Sequence, residues 1–151
     1  MNITIDMSED DLANQIQSEI NSARNQVEEA MAQRFYEITI HNMGIAGADR
    51  PSSWALLSPS TIAQYRRRKP PVMRIIATLI LTGAMRQSVQ RSGNVVSSGD
   101  SPYAAAHQYG NRERNLPARP FFPITKSGDA LPWTRGEIVE AAENKFMELF
   151  K

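Results

Sequence analysis

The chain has 151 residues, of which 41% are hydrophobic and 22% charged, the balance of a globular domain rather than a disordered segment. Seventeen basic residues against sixteen acidic ones leave a net charge of +1, too little for a global field that steers a protein to DNA or an acidic membrane. There is no cysteine, which excludes disulfides, thiol catalysis and cysteine-held zinc or iron–sulfur centres.

In chain order, Ile3, Ile5 and Met7 alternate with polar residues and predict a half-buried strand. Ser8 is placed to cap the following helix, with Glu9, Asp10 and Asp11 at its positive end. Leu12, Ile16, Ile20, Ala23, Val27, Met31, Phe35 and Ile38 then recur every three or four residues. That apolar stripe predicts a helix over about residues 9–40, on the order of 45 Å long. The stripe is expected to pack on a sheet of the same chain; a two-helix coiled coil is the other arrangement it allows. Residues 42–53 read as an irregular connection broken by Gly44, Gly47 and Pro51.

Ser58-Pro59 reads as a cap and a first-turn proline, opening a helix that runs to Arg68 and stops at Pro70-Pro71. Residues 75–81 form an apolar run whose type periodicity does not fix. Residues 85–91 and 94–98 read as two strands joined by Ser92-Gly93. A short helical turn over 103–109 ends at Gly110 as a C-terminal cap. Thr134-Arg135-Gly136-Glu137 has the form of a capping box, and Ile138, Ala142, Phe146 and Leu149 share one face of the last helix. The order predicts one α+β domain over residues 1–151: long N-terminal and C-terminal helices packed on a small, mostly antiparallel sheet.

The residues offer no catalytic constellation. His41 and His107 lack metal-site spacing, no Gly-x-Ser-x-Gly or phosphate-binding glycine loop is present, and the adjacent acids at 10–11 and 28–29 point apart on a helix. No catalytic, cofactor-binding or metal residue is therefore assigned, and no cofactor is expected. No apolar run approaches the roughly 20 residues that span a bilayer, and no basic leader opens the chain, so neither a membrane partner nor secretion by that route is expected. The densest basic cluster, Arg66-Arg67-Arg68-Lys69, reads as a solvated helix end, an interface with an acidic partner, or a phosphate contact.

Four blocks go further: Trp54-Ala55-Leu56-Leu57-Ser58-Pro59-Ser60-Thr61, then Leu81-Thr82-Gly83-Ala84-Met85-Arg86-Gln87-Ser88, then Tyr103-Ala104 with His107-Gln108-Tyr109-Gly110, then Pro117-Ala118-Arg119-Pro120-Phe121-Phe122-Pro123. In this order, over residues 50–125, they resemble the virion morphogenesis, or tail completion, proteins of tailed bacteriophages, including those of Mu-like phages. Met85 stands where such proteins more usually have leucine, a volume-conserving swap, and the segment 128–133 has no counterpart in the pattern. The resemblance implies a non-enzymatic structural protein, made in the host bacterial cytoplasm and placed in the virion at the neck or tail top. It implies a homo-oligomeric ring, expected to be hexameric, beside a tail terminator and a head–tail connector, with at most weak contact to DNA. The alternative is a small nucleic-acid-binding module using the basic cluster at 66–69; a hydrolase of unrecognised type is a more distant rival.

On this reading Trp54 and Leu57 are expected to anchor the core, with an exposed docking role left open for both. Gly83 is expected at a tight turn, His107 in a hydrogen bond to the adjoining loop, and Gly110 at an element's end. Pro117 and Pro120 restrict the chain around Arg119, which is a candidate for charge-assisted bonds to a carboxylate or to helix-end carbonyls. Tyr109 and Phe121 read equally as core or interface. Arg66, Arg67, Arg112, Arg114 and Arg119 complete the interface candidates, with residues 111–115 expected as an exposed, mobile loop.

Overall fold

The computed structural model describes residues 8–44, 54–67, 83–99 and 101–151. The expected strand at 3–7, the connection at 45–53, Arg68, Lys69, the two prolines at 70–71, the apolar run at 75–81 and Thr82 lie outside the described residues.

Helix α1 spans Glu9–Gly44 and starts where Ser8 directs it. The Asp11 backbone N–H donates to Ser8 Oγ at 3.1 Å, and the Ser8 hydroxyl donates to the Asp11 carboxylate at 2.6 Å, so cap and acid satisfy the first turn together. The helix runs past residue 40 because its last turn is core: Thr39, Asn42 and Met43 are buried. Helix α2 is Pro59–Arg67, with Ser58 accepting from the Thr61 N–H at 3.2 Å and Pro59 at the first helical position, where no N–H is needed.

Residues 85–88 are not strand. Gly83, at φ 75°, turns the chain, and Ala84–Ser88 forms a short helix α3 in which the Gln87 N–H bonds the Gly83 carbonyl at 2.9 Å. Among the described residues the paired strands are β1 (Gln90–Ser92) and β2 (Val95–Ser97), antiparallel, with Arg91 opposite Val96 across the Gly93-Asn94 turn. A two-residue turn brings its flanking strands into register at once; further residues need a partner strand to stay extended. Helix α4 (Ala104–Tyr109) closes at Gly110 as expected.

Helix α5, Pro132–Leu149, corrects the expected capping box. The helix opens three residues earlier on Leu131 and Pro132. Thr134 is buried and donates to the Leu131 carbonyl at 2.9 Å, and Glu137 pairs with Arg34 of α1. Proline at the first helical position was the stronger start signal.

The expected packing of the α1 stripe on a sheet is also corrected: its chief partner is α5, with the hairpin alongside. The two helices are antiparallel. Trp133 shares a recess with His41 and Asn42, whereas Ile138 shares one with Glu28 and Met31, nearer the start of α1. Asn94 ties the hairpin to α1 through a 2.7 Å bond to Glu28. The core proper gathers Met43, Trp54, Val89, Ala104 and Phe121, with Tyr36, Ile40, Met85, Val96 and Phe122 around them. Two long helices and a small antiparallel hairpin make the fold α+β.

Candidate functional site

Three of the four sequence blocks meet at one junction. Trp54 is 7% exposed and its indole N–H donates to the Pro120 carbonyl at 3.1 Å. Arg119, 4% exposed, reaches back to the segment after Trp54: Nε donates to the Ala55 carbonyl at 3.1 Å and Nη2 to the Leu56 carbonyl at 3.3 Å. The acceptors are backbone oxygens ahead of α2, not a carboxylate or a helix end. A guanidinium fork suits this task because its donors are fixed in one plane. Burial lowers the Arg119 pKa, opposed by Tyr65.

The third strut is Gln108, 5% exposed. Its side-chain oxygen accepts from the N–H groups of Phe121 and Phe122, both at 3.0 Å, and its amide nitrogen donates to the Phe122 carbonyl at 3.1 Å. One side chain thereby satisfies three backbone groups that would otherwise be buried without partners. Gln108 belongs to the third sequence block, where no role is expected of it. The available signal was its position four residues after Ala104, which puts both on one face of α4; both are buried.

Gly110 is set by close approach. At φ 78° and ψ 169°, it lies in a region essentially confined to glycine. A Cβ there would sit 3.0 Å from the Ala118 nitrogen and 3.1 Å from the Leu116 oxygen. The His107 backbone carbonyl accepts from the Arg119 N–H at 2.6 Å, so it is the main chain of His107 that holds the adjoining segment. Its imidazole is half-buried, with Nδ1 lacking a hydrogen-bond partner among the described residues. Burial, and secondarily the Arg119 charge, push its pKa below the ordinary histidine value.

The interface candidates separate into inside and outside. Arg119 and Phe121 (0% exposed) are spent within the subunit, so neither side chain is offered to a neighbour. Phe121 packs 4.6 Å from Phe122, which stacks 5.9 Å from Phe35 of α1. Tyr109, Arg112, Arg114 and Pro117 are exposed, as are Arg66 and Arg67 at the last turn of α2; Pro120 is half-buried. Residues 111–116 form a built turn rather than an open loop. Asn111 and Leu116 exchange backbone bonds of 2.9 and 2.8 Å, and Asn111 Oδ1 accepts from the Arg114 N–H at 2.9 Å. Asn115 supplies the positive φ, 50°, that asparagine tolerates better than most residues. Gly83 makes its tight turn one helix away, beside α3.

Among the described residues, no cluster of three or more His, Asp or Glu could hold a metal ion, and no helix is long and apolar enough to cross a membrane. The junction has the chemistry of a brace: its donors and acceptors hold backbone.

The sequence profile of the phage virion morphogenesis family matches residues 7–132. The chain belongs to that family, which gives it a structural, assembly role in a bacteriophage virion rather than a catalytic one. No curated protein and no solved structure matches it.

Proposed function

We propose that the chain completes the tail at its upper end and takes part in joining tail to head, as a ring of copies at the neck and without enzymatic activity. Six copies is the expected number, and a tail terminator and a head–tail connector are the expected neighbours. The observation that carries this reading is the junction itself. The junction's buried polar side chains, Arg119 and Gln108, are consumed in bracing Ala55, Leu56, Phe121 and Phe122. A subunit that transmits load between rings needs such a brace; a catalyst would leave a reactive group facing substrate.

The test is complementation. A phage lacking this gene should yield heads and tails that fail to join, seen by electron microscopy, and the gene supplied in trans should restore joined particles. Normal infectious particles made without the protein would reject the assembly role. A second reading rests on the exposure of Arg66 and Arg67: nucleic-acid binding. Tight, steeply salt-dependent DNA binding by the isolated protein would favour it.

A further inference from the structure

Among the described residues, the start of α1 is an exposed arm that no other element covers. Glu137 lies level with Arg34, and the antiparallel course of α5 then brings its last turn level with about residue 22 of α1. The residues before that point overhang α5 by about 18 Å. On this overhang Leu12, Ile16 and Ile20 are 49%, 49% and 55% exposed. Their spacing of four puts them on one face with Glu9, and Glu19 flanks it. Residues 9–23 hold Glu9, Asp10, Asp11 and Glu19 and no basic residue.

A surface of matching character lies at the other end of the same helix. A recess of about 680 Å³ opens between α1, α3 and β1. Tyr36, Ile40 and Val89, all at least half-buried, form its floor, and the exposed Arg86 and Arg91 its rim. Residues 83–99 contain those two arginines and no acid. Gln33, Gln87 and Gln90 complete a mixed lining, whose apolar floor and basic rim suit an acidic amphipathic helix. The subunit's own arm cannot be that helix. Tyr36 and Ile40 belong to α1, an unbroken helix, and its first turns cannot fold back onto its last.

We propose that the first turns of α1 of one copy dock in the α1–α3–β1 recess of the next. Leu12, Ile16 and Ile20 meet Tyr36, Ile40 and Val89, while Glu9 and Glu19 face Arg86 and Arg91. Arm and recess are different surfaces, so the contact is head-to-tail and propagates until rotation closes it into a ring. The inference rests on the ring reading above and identifies its contact.

The absence of cysteine makes single-cysteine variants clean probes. Ile16→Cys protein mixed with Gln87→Cys protein under oxidation should give the mixed disulfide as the main product. One chain carrying both substitutions should give a ladder ending in a closed species. Arg86→Glu with Arg91→Glu in the Gln87→Cys chain should reduce the mixed product at least tenfold, and Glu9→Arg with Glu19→Arg in the Ile16→Cys chain should restore it. A dominant Ile16→Cys homodimer would mean that stripes pair symmetrically and would overturn the proposal. So would the absence of the mixed product both at high protein concentration and in particles assembled from the variants. Complementation separates the two readings: joined particles without the cross-link sink the docking and leave the assembly role, whereas joined particles without the protein sink the assembly role itself.

Discussion

At the junction within residues 101–123 two polar side chains are inside and satisfied: Gln108 and Arg119 are nearly sealed and each is bonded to more than one backbone group. In the first turns of α1 the arrangement is reversed: acids face water, as expected, but isoleucine and leucine side chains stand half in water too. Burying unpaired polar groups and exposing a row of aliphatic ones both carry a cost. The junction removes its cost within one chain, by hydrogen bonds. The arm leaves its cost unpaid in the free subunit, and a contiguous apolar row of this kind marks an interaction surface. The first region makes the chain rigid; on the docking proposed above, the second makes it incomplete.

The contrast breaks most readily at Gly110. Alanine there would hold a backbone conformation costing on the order of 1–3 kcal/mol and would press against backbone atoms at 3.0 and 3.1 Å. Since those atoms belong to Leu116 and Ala118, relief would move the segment that carries Arg119. We expect Gly110→Ala to lower stability by about 3 kcal/mol or more, a fall in Tm on the order of 10 °C for a chain of this size. A change under 2 °C in calorimetry would show that the junction is not tightly braced. Arg119→Met should come next, at about 2–3 kcal/mol, because two charge-assisted bonds are lost while the buried stem is kept. Arg119→Lys should recover less than half of that, since one ammonium cannot serve the Ala55 and Leu56 carbonyls in a fork. Full recovery by lysine would mean that charge alone, and not the fork, holds the segment.

A smaller effect belongs to His107. Its folded pKa lies below its unfolded one, so below about pH 6.5 the unfolded chain binds the proton more readily than the folded one. Stability is thus whole above the unfolded pKa and declines as pH falls through it toward the folded pKa. His107→Gln should shrink the loss of Tm between pH 7.5 and 5.5 relative to the native chain. An identical slope in both proteins would place the imidazole in water rather than buried beside Arg119.

The same contrast explains what sequence alone could reach. The stripe on α1 was readable because apolar side chains at three and four residues need a common face, whoever covers it. The covering surface was not readable: α5 takes the stripe from about Ala23 onward, and no pattern in residues 12–20 says that α5 stops short of them. Arg119 was readable as a charged residue between prolines, though its acceptors, Ala55 and Leu56, lie far off in sequence and carry no mark. Gln108 was missed because a neutral amide draws no attention until burial makes its three bonds indispensable. The strand expected at 85–88 failed because extended chain needs a pairing partner, and Gly83 offered those residues a helical turn instead.

The finest discrimination comes from a substitution expected to do almost nothing to the free subunit. Leu12→Gln, Ile16→Gln and Ile20→Gln together remove the apolar row while keeping good helix formers in place. Because these side chains are half exposed and lie beyond α5, each change should alter stability by no more than about 0.5 kcal/mol. Circular dichroism should report an unchanged helix and a Tm within a few degrees of the native one. Self-association, followed by light scattering against concentration, should nevertheless fall. Rigidity and incompleteness would then be separable properties of one chain, since changes at Gly110 or Arg119 cost stability and changes in the arm cost assembly. A large drop in Tm for the triple variant would mean instead that the arm is packed within its own subunit, and the two regions would no longer differ in kind.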